Sequence, residues 1–304
     1  MLSRAVEIVE VSPRDGLQAE DVVVDTATKL ALIERAIDAG VRRIEVCSFV
    51  NPARVPQMAD AEAVLAGLPG GPGRGDVTYI GLVLNRRGFE RAVDAGMREI
   101  NAVVVTTDTF AERNQGTTSA GTVEAFADIA ALAADAGIRP TVTVSTAFGC
   151  PYEGEVPVAR VVEVVRAVAD AGAAEIALAD TIGVAVPSDV TERIEAVGPV
   201  LGSAALRAHF HNTRNTGIAN AYAAIEAGVI ALDSSLGGIG GCPFAPNATG
   251  NIPTEDLAYM LQRMGIDTGL DLEALTSIVP WIEDMLGKRV PGLLAKAGLF
   301  PRAH

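Results

Sequence analysis

β-branched and small apolar residues in this chain gather in short runs such as INAVVV at Ile100. Runs of four to six β-branched or small apolar residues are expected of parallel strands covered on both faces. Half-exposed antiparallel strands would alternate instead. The segments before the runs are Ala-rich and end in a recurring phrase: DAGVRRIEV at Asp38, DAGMREINAVVV at Asp94, DAGIRPTVTV at Asp135, DAGAAEIALAD at Asp170 and EAGVIALDSS at Glu226. Glycine just past a helix takes the left-handed conformation that caps the last carbonyls, so each phrase predicts helix, cap and strand. LAGLPGGPGRGDVTYIGLVL after Ala66 and AVGPVLGSAALRAHF after Ala196 make the same transition through looser Gly/Pro loops.

With a first strand at Val6 to Val11, the pattern yields eight strands alternating with helices. Eight βα units predict an α/β fold of the (β/α)8 TIM-barrel type; a doubly wound open sheet is the alternative. The expected organisation is a single domain over residues 1–304, with 265–304 as a C-terminal helical extension carrying the sole Trp, Trp281.

In a barrel the chemistry is expected at the C-terminal strand ends. Those ends hold Arg14 and Asp15 after strand one, Glu45 on strand two, Asp180 after strand six, His209 and His211 on strand seven, and Cys242 and Asn251 in the loop GGIGGCPFAPNATGN after strand eight. His209 and His211 stand two apart, so they share one face of their strand. They are either hydrogen-bonded core histidines or metal ligands. Strands one, seven and eight are contiguous in a closed barrel, so Asp15, both His and Asn251 can share one ion. Two imidazoles with carboxylate and amide oxygens suit Mg²⁺ or Mn²⁺, with Zn²⁺ a further option. Arg14 beside Asp15 is either a rim ion pair or a fixed guanidinium for negative charge developing on a substrate oxygen. Glu45 and Asp180 are either catalytic or orient Arg14 or a ligand His. Cys242, between two Gly and a Pro, is a candidate proton donor or acceptor on a movable loop. Cys47 and Cys150 are expected to be small buried hydrophobes.

Composition narrows the partners. Thirty-eight acidic against 24 basic residues leave a net charge of −14, which argues against general attraction to nucleic acid or an anionic membrane. An anionic ligand therefore needs a local basic pocket, built mainly of arginines because Lys29, Lys288 and Lys296 are the only lysines. No apolar run reaches the length of a membrane span, and the three widely spaced Cys fit a reducing compartment, so a cytoplasmic protein is expected. GGIGG lacks the Lys-Ser/Thr of a phosphate loop and the spacing of a dinucleotide fold.

The segments VSPRDGLQAE, IEVCSFVNPARVPQMAD, GCPYEGEV, ADTIGVAVP, HFHN and DSSLGGIGGCPFAPNATGNIPTEDLAYML make the sequence similar to the hydroxymethylglutaryl-CoA lyase family of metal-dependent TIM-barrel lyases. The resemblance implies that Asp15, His209, His211 and Asn251 bind a divalent cation, Mg²⁺ or Mn²⁺. It implies that Arg14 stabilises the enolate of departing acetyl-CoA and that Cys242 is the mobile-loop thiol. Glu45 and Asp180 would lie in or beside the site, and Asn114 near the CoA moiety. The implied reaction is retro-Claisen cleavage of an acyl-CoA thioester, a step of leucine degradation in family members. Departures lie at Ser12, at Asn247 and in HNTRNTG, where Asp-Thr-Tyr-Gly is usual after the second His. Arg214 there is a candidate substrate-specificity residue, suited to pair with a polar group on a different acyl chain. A condensing synthase of the same superfamily and a catalytically lapsed CoA-binding barrel are competing functions. By analogy of fold, a homo-oligomer is expected.

Overall fold

The computed structural model describes residues 5–73, 75–241 and 250–300. Eight parallel strands close into a barrel in chain order: β1 (Glu7–Glu10), β2 (Arg43–Ser48), β3 (Thr78–Val83), β4 (Glu99–Val105), β5 (Arg139–Ser145), β6 (Glu175–Asp180), β7 (Ala205–Phe210) and β8 (Ala231–Ser234). Closure runs from Glu7 opposite Ala231 to Glu10 opposite Ser234. This is the TIM barrel expected from the sequence, and the open sheet is excluded.

The helices are α1 (Thr26–Asp38), α2 (Ala61–Gly67), α3 (Arg86–Asp94), α4 (Asp108–Gln115), α5 (Ser119–Ala136), α6 (Val158–Asp170), α7 (Pro187–Val197), α8 (Gly217–Glu226), α9 (Thr254–Arg263), α10 (Leu272–Leu286) and α11 (Leu294–Ala297). The repeated glycine of the five helix-to-strand phrases, Gly40, Gly96, Gly137, Gly172 and Gly228, has φ between 65° and 101° in every case. After α1 the Gly40 amide bonds to Ile37 O and the Val41 amide to Ala36 O, both at 3.0 Å, which consumes the terminal carbonyls and turns the chain into β2. Among the described residues, the β4–β5 connection is the one strand-to-strand link with two α-helices, α4 and α5. The extension docks on the barrel: the Asp271 amide bonds to Ala39 O, and the Arg35 guanidinium lies 4.8 Å from the centre of the Trp281 ring. No helix among the described residues is long and apolar enough to cross a membrane.

The main apolar core lies between the strands and the helical ring, and Val9, Val11 and Ile80 form a smaller cluster. Beside it runs a buried network of charge. Arg43 reaches Glu99 and Glu175, Arg139 reaches both carboxylates, and Arg207 lies 3.1 Å from Glu175.

Beyond β1 the chain forms a wide, π-type turn over Ser12–Gly16, which begins with Pro13 in its first turn, where no intrahelical N–H is needed. A Cβ on Gly16 would fall 2.8 Å from Ile239 and 2.9 Å from Ser235, so glycine lets this turn pack on the segment after β8. Two buried carboxylates clasp the same junction. Glu10 accepts hydrogen bonds from the amides of Ser12 and Leu236 and from the Thr254 hydroxyl. Glu255 accepts from the Gly237 amide with one oxygen, and its other oxygen has no partner. Burial pushes the Glu255 pKa from 4.5 up to about 8. Between those values the folded state holds a proton that the unfolded chain has released, so stability falls as pH rises through about 8. The neutral variant Glu255→Gln is therefore expected to lose less stability than the native protein between pH 5 and 9, by a few kcal/mol. Thermal unfolding across that range checks it.

Candidate active site

The C-terminal strand ends open into a cavity of about 1400 Å³, lined by Arg14, Asp15, His209, His211 and Asp233 and, farther out, by Arg54, Arg87, Arg113 and Asn114. That volume exceeds the usual range for small-ligand pockets and suits an extended ligand.

Arg14 is buried and held twice. Its Nε donates to Glu45 Oε2 at 2.7 Å and one terminal nitrogen donates to Asp15 Oδ1 at 2.8 Å. Glu45 is fixed in turn by the Asn101 amide at 3.1 Å. The second Asp15 oxygen accepts from Asn251 Nδ2 at 2.8 Å. Asn251 comes into reach because Gly250–Ile252 runs beside the end of β7: the Asn212 amide bonds to Gly250 O and the Ile252 amide to Phe210 O.

His209 and His211 face the cavity together, their ring centres 5.1 Å apart. His209 Nδ1 meets Asp233 Oδ2 at 3.1 Å, and His211 Nδ1 donates to Thr181 O at 2.5 Å. Each ring therefore keeps Nε2 for another partner. Ligand atoms of Asp15, His209 and His211 lie within 4.8 Å of one another. His211 Nε2 and Asn251 Oδ1, both buried, have no hydrogen-bond partner. Two orphaned acceptors beside a carboxylate and a second imidazole are the donor set a divalent cation satisfies.

The electrostatics agree. Burial alone would raise Asp15, but Arg14, the two imidazoles and Asn251 outweigh it and bring the carboxyl down to about 2. Burial and the neighbouring His209 bring His211 down to about 4, so at neutral pH it is an uncharged imidazole with a free lone pair. Burial also lowers His209, but the Asp233 carboxylate, followed by Asp15, more than offsets this.

The other sequence candidates divide. Glu45 orients Arg14. Asp180 is turned into its own loop, where its two oxygens accept the amides of Val184 at 2.9 Å and Ala185 at 3.0 Å. Arg214 is not among the described residues that line the cavity; it donates to Ile182 O at 3.0 Å and Gly183 O at 2.8 Å. Arg214 thus braces the backbone that follows Thr181. Asn114 lies on α4 in the outer cavity wall. Cys242 and Asn247 lie outside the described residues; Gly241, the neighbour of Cys242, lines the cavity. Cys47 and Cys150 are buried as expected, and burial pushes the Cys47 thiol up. Reading the sequence missed Asp233, Thr181 and Asn101. Asp233 did leave a signal, a lone acid in the strand run IALDSS.

The HMGL-like family matches residues 5–282. The chain belongs to this family. The (R)-citramalyl-CoA lyase of Chloroflexus aurantiacus is 42% identical, the alignment covering 98% of this chain and 96% of that one. The hydroxymethylglutaryl-CoA lyase of Pseudomonas mevalonii is 40% identical over 99% of this chain and 100% of its own. Among solved structures, an HMG-CoA lyase from Acinetobacter baumannii in complex with coenzyme A and 3-methylmalate superposes with a TM-score of 0.94 at 39% identity, covering 100% of this chain and 98% of that one. With this membership the HMGL-like chain is a carbon–carbon lyase.

The Asp180 geometry makes a prediction about the loop that carries Thr181. Asp180→Ala leaves two amides without their acceptor and is expected to cost roughly 2–5 kcal/mol in urea unfolding.

Proposed function

We propose that this chain is a divalent-metal-dependent acyl-CoA lyase that cleaves hydroxymethylglutaryl-CoA or a related branched 3-hydroxyacyl-CoA, such as a citramalyl thioester, to acetyl-CoA and a keto acid. The observation that carries the reading is the pair of orphaned acceptors, His211 Nε2 and Asn251 Oδ1, converging with Asp15 and His209 on a cavity that Arg14 also lines.

Asp15, His209, His211 and Asn251 would hold the cation, with Mg²⁺ or Mn²⁺ the best match to this donor set. A divalent cation in such a site supplies Lewis-acid polarisation of substrate oxygens. In the cleavage the substrate's 3-hydroxyl gives its proton to a base. C3–O becomes a carbonyl, the C2–C3 bond breaks, and its electron pair passes to C2 as the thioester enolate. Arg14, clamped by Glu45 and Asp15, needs no reorganisation to meet the charge that develops on the thioester oxygen. Protonation at C2 completes acetyl-CoA, and the Cys242 thiol is the proposed donor. Arg54, Arg87 and Arg113, all exposed on the outer cavity wall, are a local cationic surface for the CoA phosphates in a chain of net charge −14.

The deciding assay incubates the protein with Mg²⁺ or Mn²⁺ and a panel of 3-hydroxyacyl-CoA thioesters and follows acetyl-CoA by mass spectrometry. Release from at least one thioester is expected, and silence across the panel with both metals rejects the reading. Asp15→Ala and His209→Ala are expected to lose Mn²⁺ binding and turnover together. Arg14→Ala should keep Mn²⁺ while kcat falls about 10²–10³-fold, and Cys242→Ser should likewise lose turnover without losing metal. Arg113→Ala should raise KM about tenfold for a CoA thioester and leave a phosphate-free pantetheine thioester unaffected, since one charge-assisted contact is worth on the order of 1.5 kcal/mol.

A further inference from the structure

Resting on the metal-site reading above, we infer that Asp233, itself ion-paired with Arg207, is the positioning residue that fixes His209 as a cation ligand. His209 and Asp233 stand directly opposite each other in the β7–β8 register. Asp233 Oδ2 lies 3.1 Å from His209 Nδ1, and Asp233 Oδ1 lies 3.2 Å from an Arg207 terminal nitrogen. Arg207 and His209 are two apart on β7, so both point to the barrel interior. The side chains of Arg207 and Asp233 are only 2% and 5% exposed.

An ionised carboxylate buried this deeply requires a paired cation. Arg207 provides it as an ion pair without hydrogen-bond geometry, and its Nε lies at ion-pair distance, 3.1 Å, from Glu175, which Arg43 binds through two hydrogen bonds at 2.8 and 2.9 Å. The chain of charges therefore runs from the lower barrel, through Arg207 and Asp233, to one of the imidazoles of the cation site. Fold stability alone is a poor reason for such a column, because buried ion pairs seldom outperform apolar packing of equal volume, and barrel interiors are ordinarily filled by branched apolar side chains. Ending on His209 gives the column a purpose. Asp233 Oδ2, 3.1 Å from Nδ1, accepts its proton, which selects one tautomer, leaves Nε2 as the lone-pair nitrogen and holds the ring plane. His211 obtains the same orientation from a backbone carbonyl, that of Thr181, which carries no charge and depends on no distant cation.

The test uses the full chain with Mn²⁺ alone. Mn²⁺ affinity is measured by titration calorimetry for the native protein, Asp233→Asn, Arg207→Met and Arg207→Lys, with thermal unfolding of each. Long-range ¹H–¹⁵N spectra of the metal-free protein read the His209 tautomer. The native protein should show His209 protonated on Nδ1. Asp233→Asn should bind Mn²⁺ about 10–100-fold more weakly and show mixed tautomers while still unfolding cooperatively. Arg207→Lys should recover part of the affinity lost in Arg207→Met. A native His209 protonated on Nε2, or a folded Asp233→Asn that binds Mn²⁺ as tightly as the native protein, overturns the inference. If Asp233→Asn does not fold, the native tautomer and the Arg207 pair decide. If the native protein binds no Mn²⁺, the metal reading fails separately, and the tautomer still judges the role of Asp233.

Discussion

The hydrogen bond from Asn251 to Asp15 joins residues 236 positions apart and exists only because β1 pairs with β8. Closing a loop of that length costs chain entropy, and no local contact offsets it. What offsets it is the completed barrel: buried strands, the Glu10 and Glu255 clasp, and the packing of Gly16 against Ile239 and Ser235. One closure thus brings the turn after β1, the end of β7 and the segment after β8 to a single point. A seam open between β1 and β8 would leave Arg14 and Asp15 on one edge and both histidines near the other.

Closure also concentrates charge. The chain as a whole carries −14, yet Arg14 and Arg207 are buried in the barrel and each is matched to carboxylates. The arrangement is graded. Low in the barrel every arginine has its carboxylate; at the top, Asp15 faces one guanidinium and two imidazoles, so its carboxyl stays ionised down to about 2. Where the cavity begins, His211 Nε2 and Asn251 Oδ1 are buried without a hydrogen-bond partner, beside Asp15 and His209. In a folded protein that pattern has a reason, and a bound cation is the simplest one consistent with the donor types.

The barrel was legible because its signals are local. Each DAG or EAG phrase encodes a positive-φ cap and a strand in adjacent residues, and strand ends then locate Arg14, Asp15, His209 and His211 without knowledge of their neighbours. Asp233 and Arg207 escaped because their meaning lies in register across the barrel, with His209 opposite Asp233, which no single strand reveals. Asp180 remained ambiguous for a related reason. Its two oxygens are consumed by backbone amides of its own loop, and amides leave no mark in a sequence. The division of the β4 connection into α4 and α5 likewise has no strong breaker apart from Gly116, which takes φ of 74° at the end of α4.

Arg214 joins this loop to the site by an indirect route. Its guanidinium engages the carbonyls of Ile182 and Gly183, immediately after Thr181, whose own carbonyl accepts the His211 proton. The Thr181 hydroxyl accepts from the Thr146 amide, and Thr146 is a buried non-glycine residue with φ of 58°, a conformation a threonine adopts only when its surroundings hold it. Asp180, Arg214 and Thr146 therefore fix Thr181 from three directions. A residue that departs from the usual family pattern thus acts here on the backbone that aims an imidazole.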